Sequence, residues 1–256
     1  MHRIPSIFID LNETGQVSDR QFLLNSLAGY KTTKQEYDEF KSVFHHTLEP
    51  NDSKSQFAMW AIDAGMHYLE SALAYSKSLE GLIENSEHAT HPAACVLLRQ
   101  SLECTLIAKW IFQSKDIDSL AMTGFAVTYR SLKRQRKYAV AANEMRMPWM
   151  TYRLSDFQTI ETTIDQICTM GRNLGCMDTR FYVYKYLPGQ SQLFHEANLY
   201  GKPISMRWIY ELLSSVTHGD VLGFNPSEHE FAQIALLLNK FLKETFYRLE
   251  QIFLPE

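Results

Sequence analysis

The stretch from Ser53 to Asn85 reads SKSQFAMWAIDAGMHYLESALAYSKSLEGLIEN and decides the fold class. Its apolar residues recur at the spacing that places them on one face of an α-helix. The pattern continues through the whole stretch, and Ser53 or Ser55 is placed to cap its first turn. This segment alone predicts a helix longer than most helices of globular proteins.

The chain on either side of this stretch repeats the helical pattern. Further helices are predicted at 18–29, 32–49, 92–113, 116–146, 155–175, 203–220 and 226–253. Pro92, Pro203 and Pro226 are each expected to open a helix, because proline fits the first helical position. Residues 181–186, FYVYKY, form the only segment with an alternation typical of a strand.

These segments predict an all-α protein. We expect a single domain over residues 1–256, built as a bundle of long, mostly antiparallel helices. Residues 1–17 are expected to form a loose N-terminal arm, and residues 176–202 an irregular loop. A long loop in a compact domain often has a function, although a simple cap over one end of the bundle also fits.

Composition excludes several classes of function. The formal net charge is -4 and the pI is about 6.1, so attraction to nucleic acid would need a local basic patch. The four cysteines form no C-x-x-C pair, and we expect buried thiols, with no metal and no cofactor. No stretch is long and apolar enough for a signal peptide or a membrane span. The sequence therefore predicts a cytoplasmic protein with no membrane partner.

Two charged residues interrupt an apolar helix face in the segment that begins at Pro92. Arg99 and Glu103 share one arc with Cys95 and Leu106 when positions are spaced at helical intervals. Charges among apolar neighbours are costly unless they are paired. One interpretation is a mutual ion pair that positions the helix. The other is a polar cluster that meets residues of a second helix.

The stretch LLSSVTHGDVLG, residues 212–223, is more polar than a helix end requires. Arg207, Glu211, Ser214 and His218 are predicted to share one arc, opposite the aliphatic residues. Gly219 suits a helix stop, and a histidine in the last turn suits the negative end of the helix dipole. Alternatively, His218 is a general base or a donor to phosphate, because histidine titrates near neutrality.

A stretch rich in lysine and arginine, YRSLKRQRKYAV, occupies residues 129–140. Arg130, Lys133, Arg134 and Lys137 are predicted to cluster on one helix face, with Arg136 to the side. Such a face could follow the phosphates of a nucleic acid. An ordinary solvated helix face is the alternative interpretation.

Two of these motifs together carry a family resemblance. The combination of R-x-x-x-E (Arg99, Glu103) with Y-x-x-x-S-S-x-x-H-G (Tyr210 to Gly219) resembles a group of prokaryotic all-helical proteins, some related to abortive-infection proteins. It is more distantly similar to the HEPN superfamily, many of whose members are metal-independent RNases that act as dimers. The resemblance implies RNA or a nucleotide as partner, a homodimer, and an effector role in a toxin or phage-defence system.

The resemblance also implies roles for individual residues. His218 would be the general base or acid, Arg99 would hold phosphate and Glu103 would orient Arg99, with Ser214 beside them. The chain departs from the HEPN RNase motif, in which an Arg shortly precedes the His. Ser214 stands where that Arg could be, so the fold could be present without the nuclease. The alternative is a non-catalytic helical interaction or regulatory module, in which Arg99, Glu103 and His218 form a structural network.

The catalytic hypothesis predicts that His218→Ala abolishes RNA cleavage measured in EDTA. The substitution removes the group that would transfer the proton, so we expect cleavage to be lost while the melting temperature changes little. Wild-type protein purified identically is the control. Equal activity in both preparations, or a large fall in melting temperature, would contradict a catalytic role for His218.

Overall fold

The structure is a computed structural model that describes residues 19–43, 51–86, 92–114, 116–145, 154–175, 183, 185–203, 206–217 and 226–253. Its helices are α1 Asp19–Ala28, α2 Tyr30–Val43, α3 Ser53–Glu84, α4 Pro92–Phe112, α5 Ile117–Glu144, α6 Leu154–Asn173, α7 Gln190–His195, α8 Arg207–Thr217 and α9 Glu228–Phe253. Two short strands, β1 Asn198–Leu199 and β2 Lys202–Pro203, form a hairpin. The all-α prediction is confirmed. None of the described helices has the length and apolar character that crossing a membrane requires.

The helix starts follow the capping residues that the sequence offers. α3 begins at Ser53, but its cap is Asp52, whose carboxylate accepts from the Ser55 amide at 2.7 Å, so the expectation of a serine cap is wrong. α4 begins at Pro92, as predicted. Before α9, the Ser227 amide donates to the Glu230 carboxylate at 2.8 Å, and the Glu230 amide donates to the Ser227 hydroxyl at 3.2 Å. This reciprocal pair is a capping box, so Ser227 caps the helix that Pro226 was expected to open.

Pro203 does not open a helix, which corrects one prediction. It lies in β2 and pairs with Asn198, and α8 begins only at Arg207. Tyr200 and Gly201 have φ angles of 51° and 79°, which give the tight turn that a two-residue hairpin requires. A proline also fits the edge of a small sheet, so the sequence signal was ambiguous.

The predicted loop at 176–202 contains regular structure where it is described. It includes α7 and the hairpin, so the expectation of an irregular loop is wrong for that part. Val183, Lys185 and Tyr186 are helical, so they do not form the strand that the alternation of 181–186 suggested. Residues 176–182 lie outside the described part, as does the predicted arm at 1–17.

The described residues form two compact units. Unit 1 takes its described residues from 1–44, 69–106 and 194–256, and unit 2 takes them from 45–68 and 107–193. The helices α3 and α4 contribute to both units. The expectation of a single domain stays a prediction.

Unit 1 is held by α9 and by two tyrosine anchors between α2 and α3. The Tyr30 hydroxyl donates to Glu80 at 3.0 Å, and the Tyr37 hydroxyl donates to Glu70 at 2.9 Å. Burial, and then the hydrogen bond to Glu80, raises the pKa of Tyr30 to about 12. The phenols therefore remain donors, and each ties α2 to a carboxylate of α3.

Lysines of α2 complete both anchors, and α9 covers α2 from another side. Lys31 pairs with Glu80 at 2.7 Å, and Lys41 pairs with Glu70. The rings of Phe40 and Phe246 pack edge to face with centroids 5.9 Å apart. Aromatic burial and ion pairs thus fix α2 between α3 and α9 within this unit.

Unit 2 depends on a close approach of α3 and α5. A Cβ atom added to Gly124 would lie 1.8 Å from the Phe57 carbonyl oxygen, so only glycine fits there. The Phe57 and Phe125 rings pack edge to face beside this contact, with centroids 5.7 Å apart. Lys54, three residues before Phe57, pairs with Asp118, six residues before Gly124, so α3 and α5 run in the same direction.

The packing of α6 on α5 has the opposite direction. Arg136 pairs with Glu161, whereas Gly171, later in α6, lies against Phe125, earlier in α5. Chain neighbours α5 and α6 are therefore antiparallel, as predicted. The helices α3 and α5, which are not neighbours in sequence, are parallel. The prediction of antiparallel packing therefore does not extend to this pair.

We predict that Gly124→Ala destabilises the protein by about 1–3 kcal/mol or more, because the backbone carbonyl of Phe57 cannot move aside as a flexible side chain could. The measurement is the free energy of unfolding from urea denaturation. Gly81→Ala in α3 is the matched control, since nothing lies within 4 Å of its added Cβ. That variant should gain about 0.5–1 kcal/mol from helix propensity. Equal effects at both glycines would contradict the close approach.

Candidate functional site

Arg99 and Glu103 form an ion pair within α4. The Arg99 Nε atom lies 2.7 Å from Glu103 Oε1, and the two side chains are 13% and 3% exposed. At this burial the pair excludes most water, so each charge depends on the other. The first interpretation of the motif, a mutual pair on one helix, is present in the structure.

The same pair also meets a second helix of unit 1. The guanidinium carbon of Arg99 lies 5.0 Å from the ring centroid of Tyr210 in α8. The Tyr210 ring in turn packs against Phe194 of α7, with centroids 5.1 Å apart. A cation over an aromatic ring is an attractive contact. The two sequence motifs are therefore joined through Tyr210, and both interpretations of Arg99 and Glu103 hold together.

The polar arc of helix α8 is exposed at Arg207 and Glu211 and buried at Ser214. Arg207 and Glu211 pair at 2.7 Å, whereas the Ser214 hydroxyl oxygen is buried. At helical spacing Ser214 lies about 20° from Arg207 and about 40° from Tyr210, so it shares the predicted arc and also borders the face of Tyr210. His218 lies outside the described residues, so its place relative to Arg99 stays a prediction.

The basic segment of α5 is solvent-exposed. All residues from 133 to 138 are exposed, and four of them are Lys133, Arg134, Arg136 and Lys137. Arg136 pairs with Glu161, and the Lys133 ammonium lies 5.3 Å from the Tyr129 ring centroid. We call residues 133–138 the basic segment.

Arg130 differs from the other predicted nucleic-acid residues. It is partly buried, and its Nη1 atom donates to the carbonyls of Leu187 and Pro188 at 3.5 and 3.3 Å. Arg130 therefore joins α5 to the chain before α7. It belongs to the same helix face as Arg134 but is set deeper.

A pocket of about 200 Å³ adjoins the basic segment, between α3 and α5. Its lining combines aliphatic, aromatic, imidazole, hydroxyl and guanidinium groups. The lining residues are Ala64, His67, Tyr68, Val127, Arg130, Ser131, Arg134 and Leu187. Sequence reasoning missed His67 and Tyr68. Neither residue carries a local sequence signal, because the pairing of α3 with α5 joins residues far apart in the chain.

Two of the three described cysteines are buried. Burial raises the pKa of Cys95 to about 11 and that of Cys104 to about 12, so both stay protonated thiols. Cys95 and Cys168 are buried, in line with the expectation of buried thiols, whereas Cys104 is partly exposed. Within the described ranges, no group of three or more His, Cys, Asp or Glu side chains is arranged to hold a metal ion.

Comparisons with protein-family models, curated proteins and solved structures found no significant match. The HEPN-like resemblance therefore stays a prediction that depends on the motifs alone. The candidate site must be argued from its own geometry. Two regions offer themselves: the Arg99, Glu103 and Tyr210 cluster in unit 1, and the basic segment with its pocket in unit 2.

We predict that Arg99→Ala destabilises the protein by about 3–5 kcal/mol, because the buried Glu103 carboxylate would lose its ion pair with Arg99. Urea denaturation measures the loss. Arg207→Ala is the matched control, since that arginine forms the same kind of pair at the same 2.7 Å distance on an exposed face. It should cost about 0.5 kcal/mol or less. Similar losses in both variants would show that burial does not strengthen the α4 pair.

Proposed function

We propose that this protein binds RNA through the basic segment of α5. The observation that carries the proposal is the exposure of every residue from 133 to 138, four of which are cationic. Lys133 and Lys137 lie four residues apart, about 6 Å along the axis, and so face nearly the same direction. Cations in such a row can contact successive phosphates of one strand.

An exposed aromatic residue supports a single-stranded ligand. Tyr138 is 62% exposed at the end of the basic segment. Every base has a face that can stack on an aromatic ring, so a tyrosine beside a row of cations is typical of single-strand binding. Because the whole chain carries a net charge of -4, the attraction would be confined to this segment.

Cleavage of the bound RNA is the catalytic form of the proposal. It requires His218 as general base or acid, which the resemblance implies. The contacts of Arg99 with Glu103 and Tyr210 favour a positioning role for that arginine over direct contact with phosphate. An effector role in a toxin or phage-defence system, a homodimer and a cytoplasmic location are further parts of this proposal and come from the resemblance and the composition.

The second candidate function is a non-catalytic interaction module. The observation in its favour is the burial of the Arg99 and Glu103 pair, which suits a structural network. A double swap, Arg99→Glu with Glu103→Arg, keeps the pair and should retain much of the fold and all binding. A site in which Arg99 holds phosphate would lose binding in the same variant.

We predict that Lys133→Ala with Lys137→Ala weakens RNA binding and reduces its salt dependence. For single strands, each lost phosphate contact lowers the slope of log K against log salt by about 0.7, so two lysines should lower it by about 1.4. Fluorescence anisotropy with a labelled single-stranded RNA of mixed sequence measures both, between about 50 and 200 mM salt.

The matched control is Lys77→Ala with Lys243→Ala, which removes two exposed lysines of unit 1 and changes the net charge equally. This variant should bind RNA like the wild type. Equal weakening in both double variants would mean that only net charge matters, and it would contradict binding at the basic segment.

A further inference from the structure

Five of the eight residues that line the pocket beside the basic segment carry hydrogen-bond donors, and the other three are aliphatic. Arg130, Ser131 and Arg134 come from α5, and His67 and Tyr68 come from α3. No carboxylate is among its lining residues, all of which lie in the described part of unit 2. Guanidinium groups only donate, and hydroxyl and imidazole groups each offer one further donor. The pocket therefore suits a ligand that is negative and rich in acceptor oxygens.

The positions of the two arginines add an electrostatic reason. Arg130 and Arg134 are one turn apart on one helix face. Among the described residues no acidic side chain pairs with Arg134, whereas Arg136, off this face, has Glu161. An anion in the pocket would give the Arg134 guanidinium a counter-charge. Planar guanidinium groups also match the spacing of phosphate oxygens.

The size of the pocket restricts what part of a ligand it can hold. Its volume of about 200 Å³ is below the roughly 300–1,000 Å³ of sites that enclose a whole small molecule. It could therefore take one end of a ligand while the rest lies outside. Arg134 both lines the pocket and belongs to the basic segment, so a strand on that segment would have one end at the pocket.

We propose that this pocket binds a terminal phosphate monoester, carried by an RNA strand or by a mononucleotide. The inference deepens the proposed RNA binding and rests on it for the strand. A phosphate monoester carries a charge of about -1.5 to -2 at pH 7 and three terminal oxygens. A phosphodiester within a strand carries less charge and is linked on both sides. A pocket with several donors in its lining therefore favours a strand end over the middle of a strand.

The test compares three RNAs of one sequence that carry a 5′-phosphate, a 3′-phosphate or hydroxyls at both ends, with an internal fluorescent label. One phosphorylated RNA should bind about tenfold more tightly than the hydroxyl-ended RNA, since charged hydrogen bonds give effects of this size. His67→Ala with Ser131→Ala should abolish the preference and leave the affinity for hydroxyl-ended RNA unchanged. Both side chains are exposed, so the melting temperature should stay the same.

The variant Lys133→Ala with Lys137→Ala provides the opposite control. It should weaken the binding of all three RNAs and keep the preference for the phosphorylated end. A nucleoside 5′-monophosphate, measured by calorimetry, tests the pocket without a strand. If no RNA binds but the monophosphate binds wild type and not the His67 and Ser131 variant, the pocket assignment stands and the RNA proposal fails. If the hydroxyl-ended RNA binds as tightly as both phosphorylated RNAs and the monophosphate gives no heat, the pocket assignment is overturned.

Discussion

The contact between the Phe57 carbonyl and Gly124 is the constraint on which unit 2 depends. It brings the backbones of α3 and α5 closer than any side chain at position 124 would permit. His67 lies ten residues after Phe57, and Arg134 lies ten residues after Gly124. Because the helices run in the same direction, both residues are about 15 Å from the contact and come together at the pocket. A glycine about 15 Å from the pocket thus determines which polar groups of α3 and α5 lie side by side.

Much of the helical structure could be predicted from the sequence, because its signals are local. Apolar spacing located α3, although Asp52 and not a serine caps it, and a proline located the start of α4. The hairpin at Asn198 to Pro203 could not be predicted, since proline fits both a helix start and a sheet edge. The parallel pairing of α3 with α5 could not be predicted from the sequence either. It is decided by contacts between residues far apart in the chain, which periodicity does not record.

The candidate sites divide in the same way. The spacing of Arg99 and Glu103 was sufficient to predict their ion pair, because one helical turn separates them. Their contact with Tyr210 depends on how α8 packs, and spacing gives no information on that. The exposure of Lys133 and Lys137 agrees with a solvated basic face, whereas the deeper position of Arg130 follows from the carbonyls before α7. The position of His67 in the pocket could not be predicted, because it depends on which helix packs beside α3.

The two tyrosine anchors between α2 and α3 have a consequence for how this sequence can evolve. Tyr30 and Tyr37 each give a hydrogen to one carboxylate, Glu80 and Glu70, and neither partner is satisfied in the same way by an apolar residue. Replacement of a carboxylate leaves the tyrosine hydroxyl with an unmet donor, whereas replacement of a tyrosine leaves the carboxylate with its ion pair to Lys31 or Lys41. Related chains should therefore show correlated substitutions at positions 30 and 80 and at positions 37 and 70, and each pair should vary independently of the other.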